Sequence, residues 1–87
     1  MNNPKRKNNL AFNKLNTSTI IIDFNAEKQF HQTNELGGFI WDLCDGKNSF
    51  EQIVDCIEQE FDMDKQIIEN DLKEFLTLLK QNELLDY

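Results

Sequence analysis

From residue 10 onward the chain carries two hydrophobic rhythms in succession. The first third has a period near two. Leu10 and Phe12, with Leu15 beyond them, predict a weak strand over residues 10–16. The run Ser18-Thr-Ile-Ile-Ile-Asp-Phe24 is rich in β-branched and aromatic residues, which suit a pleated, half-buried surface, and predicts a second strand. Asn25-Ala26-Glu27 reads as a turn, and Lys28, Gln29, Phe30, His31 and Gln32 as a returning third strand. Only Phe30 among these five is strongly apolar, so the strand fits a sheet edge with one side toward solvent.

After residue 33 the period lengthens to about 3.6. Asn34 is placed to cap a helix, with Glu35 in the first turn where the helix dipole favours a carboxylate. Leu36, Phe39, Ile40 and Leu43 fall on one stripe, and Gly46 supplies the stop. A second helix opens at Ser49, with Gln52 three residues on to complete a capping box; its stripe is Phe50, Ile53, Val54, Ile57 and Phe61. A third runs from about Asp64 to about Asn82 on Ile68, Leu72, Phe75, Leu76 and Leu79, after which Leu84 and Leu85 tuck back onto the body. Trp41 lies one position off the first stripe. It is expected to pack in or beside the core, with contact to a ligand left open. Gly37 and Gly38 each cost a helix about 0.5–1 kcal/mol relative to Ala, which implies close approach by another backbone, from the sheet or a neighbouring helix. Strands grouped before helices predict an α+β domain: a three-stranded antiparallel meander, then three α-helices.

The 87 residues suffice for one domain with a modest core. Residues 1–9 are polar and basic with nothing to pack, so they read as a flexible basic tail preceding a domain over 10–87. The formal charge of −7 is unevenly spread, since three of the nine basic residues are Lys5, Arg6 and Lys7. The six that remain face all 16 acidic residues from Leu10 onward, leaving the body at −10. Nucleic acids and anionic membranes need the opposite sign. An apolar or basic peptide is tolerated.

Candidate chemistry is sparse. No apolar run approaches the ~20 residues of a membrane span, and no apolar segment follows the basic N-terminus, so the chain reads as cytoplasmic. Cys44 and Cys56 sit on apolar helix positions and read as buried free thiols rather than a disulfide or metal pair. His31, alone on a polar strand, reads as solvent-facing rather than as a ligand. There is no glycine-rich phosphate loop and no nucleophile motif, and the acid-rich helices read as solvated faces. These readings point away from an enzyme and call for no metal or cofactor.

Thr33-Asn-Glu-Leu-Gly-Gly-Phe-Ile-Trp-Asp-Leu-Cys-Asp-Gly46 resembles the signature of the PqqD-like family. There a strand ends in an Asn-Glu helix start, a small residue follows, and an Ile-Trp pair precedes a Leu-x-Asp-Gly end. Ser49-Phe-Glu-Gln-Ile-Val54, Asp71-Leu-Lys-Glu-Phe-Leu76 and Asn82-Glu-Leu-Leu85 continue the likeness, and Ile22-Asp23 with Phe30 is similar to its hairpin. The departures are Thr33, Leu36 and Glu83, the last where the family usually has Gly. The resemblance implies a winged helix-turn-helix-like domain, the RiPP recognition element. Such a domain binds the leader of a ribosomally made precursor peptide and presents it to a separate modifying enzyme, such as a radical-SAM protein or a lasso protease.

The residue reading meets this at the third strand, whose unpaired edge can accept an extended peptide by strand addition. The expected peptide-binding set is Lys28, Gln29, Phe30, His31 and Gln32 at the edge, with Ile68, Leu72 and Phe75 as the wall of an adjoining pocket. Plain core is the rival reading for the three apolar residues. Ile67 and Ile68 are adjacent and so cannot both face inward; about 100° separates them on a helix. Two other readings stay open: a general protein-interaction scaffold and a winged-helix DNA binder. The second is weakened by the lack of any Lys or Arg between Ser49 and Phe61. Homodimerisation through the exposed strand is also open.

Overall fold

The computed structural model describes residues 3–7, 10–23 and 29–86. Its order is β1 (Leu10–Lys14), β2 (Thr19–Asp23), β3 (Gln29–Thr33), α1 (Glu35–Leu43), α2 (Phe50–Glu60) and α3 (Lys65–Gln81). The strands form one antiparallel sheet in the order β1-β2-β3, so the α+β meander expected from the sequence is what the chain adopts. The proposed turn at Asn25–Glu27, and Lys28 with it, lie outside the described residues.

Register decides which face of the sheet meets the helices. Ile21, 1% exposed, pairs with Phe12 on one side and with His31 on the other. Thr19, also buried, pairs with Lys14 and Thr33. Directly opposed residues share a face, so His31 and Thr33 look toward the helices. His31 is accordingly half-buried with its Nε2 enclosed, not solvent-facing as expected.

Both helix starts form as read. The Asn34 side chain accepts from the Gly37 N–H at 2.8 Å. At α2, Gln52 N–H donates to Ser49 Oγ at 3.1 Å while Ser49 N–H donates to Gln52 Oε1 at 2.8 Å, a reciprocal capping box. The turn between these helices is fastened by Lys47 N–H on Asp45 Oδ1 at 2.8 Å, and that bond holds the Asp45 carboxyl below its ordinary pKa.

The first helix is rolled relative to the expected stripe. Its deeply buried positions are Gly37, Gly38, Ile40 and Trp41, followed by Cys44; Leu36, Phe39 and Leu43 only flank the core. The glycines explain the roll. A Cβ on Gly38 would sit 2.3 Å from Thr19 Oγ1, and one on Gly37 would sit 1.7 Å from Thr33 Oγ1. The close approach is therefore to threonine side chains of β2 and β3 rather than to backbone, and it swings Trp41 fully inside. Cys44 is buried as expected and its thiol is pushed up to about 12 by desolvation, whereas Cys56 is only half-buried.

Of the expected tail, the described residues 3–7 do not lie free. Pro4 is buried, and Arg6 N–H donates to Cys44 O at 2.9 Å. Lys7 N–H donates to Leu84 O at 3.0 Å, and Asp86 N–H to Lys5 O at 2.7 Å. The Arg6 guanidinium donates to Trp41 O at 2.7 Å, which also accepts from the Cys44 N–H at 3.2 Å, and to Asp42 O at 3.0 Å, at the C-terminal end of α1. It also lies 5.7 Å from the Phe12 ring centroid and 5.8 Å from that of Trp41. Residues 3–7 are thus a strap binding the end of α1 to the C-terminal segment. They hold by backbone bonds, the Asn3 amide on Gly46 O and one cation, which an apolar pattern cannot reveal.

The last helix closes with Leu84 N–H on Leu79 O at 2.9 Å and Glu83 N–H on Lys80 O at 3.1 Å. This paired closure requires a left-handed residue, and Glu83 supplies it at φ 58°. Leu84 and Leu85 are buried, as the sequence implied.

Candidate functional site

β3 forms one edge of the sheet, bonded to β2 on one side only. Beside it runs a groove whose opposite wall is α3. Its first hollow, about 270 Å³, is lined by Leu36, Gly37 and Ile40 from α1 and by Asp71, Glu74, Phe75 and Leu78 from α3. The second, about 320 Å³, adds Ile21, His31, Gln32 and Thr33 from the sheet. Asn34, Phe75 and Leu78 line both, so the two hollows are one continuous trough. Each is near or below the ~300 Å³ lower bound of small-molecule pockets. They are sized for individual side chains.

α3 builds this wall with two stripes. Ile68, Leu72, Leu76 and Leu79 point into the core. Asp71, Glu74, Phe75 and Leu78 form a second stripe rotated by about 100°, with Phe75 nearest the boundary. Leu78 is 57% exposed, a large apolar side chain left uncovered at the groove mouth. Gly37 makes room at the floor, since a Cβ there would also come within 3.1 Å of Phe75 Cε1.

The sequence-derived site is only partly assembled here. His31 and Gln32 reach the groove, and for Gln29 and Phe30 the described backbone places them on the same edge strand. Phe75 is on the wall as expected. Ile68 and Leu72, at 1% and 0% exposure, are core residues, the rival reading for them, and line neither hollow. Their places are taken by Asp71, Glu74 and Leu78. Ile67 is exposed at 51%, as the adjacency argument required of one of the pair, but it does not line the trough. Trp41 is enclosed on the other side of α1, edge-on to Phe12 at 6.0 Å, and takes no part.

The His31 Nε2 is buried without a hydrogen-bond partner. Among the described residues no group of His, Cys, Asp and Glu is arranged to hold a metal ion, and no helix is long and apolar enough to cross a membrane.

Three antiparallel strands followed by three helices, with a trough between an open strand edge and the last helix, define a small α+β class of domain. The family model described as coenzyme PQQ synthesis protein D (PqqD) matches residues 18–85, and the chain belongs to that family. A solved structure of TbiB1 in complex with the TbiA(beta) leader peptide resembles it with a TM-score of 0.84 and 26% sequence identity, covering 94% of each chain. No curated protein matches the chain.

Proposed function

We propose that this protein binds the leader segment of a ribosomally synthesised precursor peptide and presents it to a separate modifying enzyme. The observation that carries this reading is the open edge of β3 beside a side-chain-sized trough. It gains support from family membership and from the likeness to a protein solved with a leader peptide. The leader adds as a fourth strand next to Gln29–Thr33. Main-chain bonds to the edge supply affinity that is indifferent to sequence, and alternate side chains, entering the trough between β3 and α3, supply selectivity.

The protein itself performs no chemistry in this reading. It raises the local concentration of precursor at an enzyme such as a radical-SAM protein or a lasso protease, which acts on the core that follows the leader. The site lies within the cytoplasm, where precursors are made.

The test is an amide-NMR titration with the leader half of the precursor peptide encoded nearest to its gene. Saturable shifts centred on His31–Asn34 and on the Asp71–Leu78 face of α3, at micromolar affinity or tighter, are expected. Shifts confined to the strap and the Trp41 side would remove the groove from the account.

A further inference from the structure

The trough carries a charge pattern that the leader-binding reading does not require. Both hollows together present two charged side chains, Asp71 and Glu74, and no lysine or arginine. They stand three residues apart on one face of α3, about 4.5 Å along its axis, so one cation can approach both. Asp71 is half-buried, and among the described residues neither carboxylate has an ion-pair partner. Immediately along the same stripe come Phe75 and the exposed Leu78. A half-buried Phe75 and an exposed Leu78 beside two carboxylates without an ion-pair partner among the described residues are incomplete in a definite way: they lack an apolar group and a positive charge at fixed separation.

Resting on the leader-binding reading, we propose that the groove selects an extended peptide with an apolar residue and a lysine or arginine two positions apart. The apolar side chain sits against Phe75 and Leu78, and the cation meets Asp71 and Glu74. The spacing follows from the two periodicities. The centres of the acidic and apolar pairs are about 6 Å apart along a helix rising 1.5 Å per residue. Alternate side chains of a strand running beside that helix are about 6.6 Å apart and point the same way. An acidic peptide would meet repulsion at the same place.

Two other occupants fit less well. The chain's own basic run is already engaged, with Arg6 on the carbonyls of Trp41 and Asp42 and the backbone of Lys5 and Lys7 on Asp86 and Leu84. A second copy would bring another acidic body to an acidic groove.

The test is selection of random 15-residue display peptides on the wild-type protein and on the Asp71→Asn/Glu74→Gln double variant, with folding of both checked by circular dichroism. Wild-type protein should enrich apolar-x-Lys/Arg. The double variant should keep the apolar preference and lose the basic one. A peptide selected on wild type should bind the variant about fivefold more weakly, a difference that 1 M salt abolishes. If groove-binding peptides emerge without a basic residue, or the basic preference survives in the double variant, the charge selection is overturned and leader binding stands. If no enriched peptide shifts the amides of His31–Asn34, both fall.

Discussion

The two sides of α1 treat their surfaces in opposite ways. On one side Arg6 covers Trp41 and Phe12, the backbone of residues 4–7 is bonded to Cys44, Gly46 and Leu84–Asp86, and Lys14 pairs with Asp42. Backbone groups of the strap there meet partners within the chain, although the buried Trp41 Nε1 has none. On the other side the edge of β3, the side chain of Leu78 and the carboxylates of Asp71 and Glu74 face a trough. The contrast separates two uses of a small core. The strapped side stabilises an 87-residue chain whose apolar interior is limited, and the trough side leaves open the surface that the proposed leader would cover.

That division can be broken from either side. The largest effect is expected from Trp41→Ala, which empties the centre of the strapped side and should cost about 3–5 kcal/mol in chemical denaturation. Arg6→Ala removes two bonds from a cation to α1 carbonyls and its stacking on two rings, so a loss of about 1.5–3 kcal/mol is expected. Leader affinity per folded molecule should be unchanged, as calorimetry can check. Leu78→Ala sharpens the comparison from the other side. Its melting temperature should hardly move, while leader binding weakens by about 1 kcal/mol, or roughly fivefold in Kd. The smallest expected effect is a gain. Glu83→Gly relieves a left-handed residue and should raise stability by about 0.5–1 kcal/mol without touching binding.

The same contrast marks where sequence reasoning works. The starts of α1 and α2 were legible because Asn34, Ser49 and Gln52 are local signals; α1 stops at Leu43 with Cys44 as its cap, short of the Gly46 expected to close it, whose N–H goes to Pro4 O. The inward face of α1 was not. Nearly every residue from Leu36 to Leu43 is apolar or glycine, so periodicity alone cannot orient it; contact of Gly37 and Gly38 with the sheet threonines does. The strap is not visible in the hydrophobic pattern because backbone bonds and the polar side chains of Asn3 and Arg6 hold it.

Around the trough, the polarity of β3 announced an edge, and Phe75, which borders both stripes of α3, lines both hollows. For Ile68 and Leu72 the rival reading, plain core, describes their burial; hydrophobicity marks a core face and a groove face alike, so the sequence left both open. One signal was available. Leu78 and Leu79 are neighbours that cannot both point inward, the same argument that separated Ile67 from Ile68, and it identifies Leu78 as the exposed wall.

The burial of Cys44 has a practical consequence. With its thiol pushed up to about 12 by desolvation, the sulfur stays protonated in neutral buffer, and a maleimide or iodoacetamide finds no thiolate there. Cys56, on α2 and absent from the lining of either hollow, keeps partial access to solvent. The native chain is thus ready for selective attachment of a fluorophore at one position, outside the trough, with no cysteine engineering needed to follow a peptide arriving.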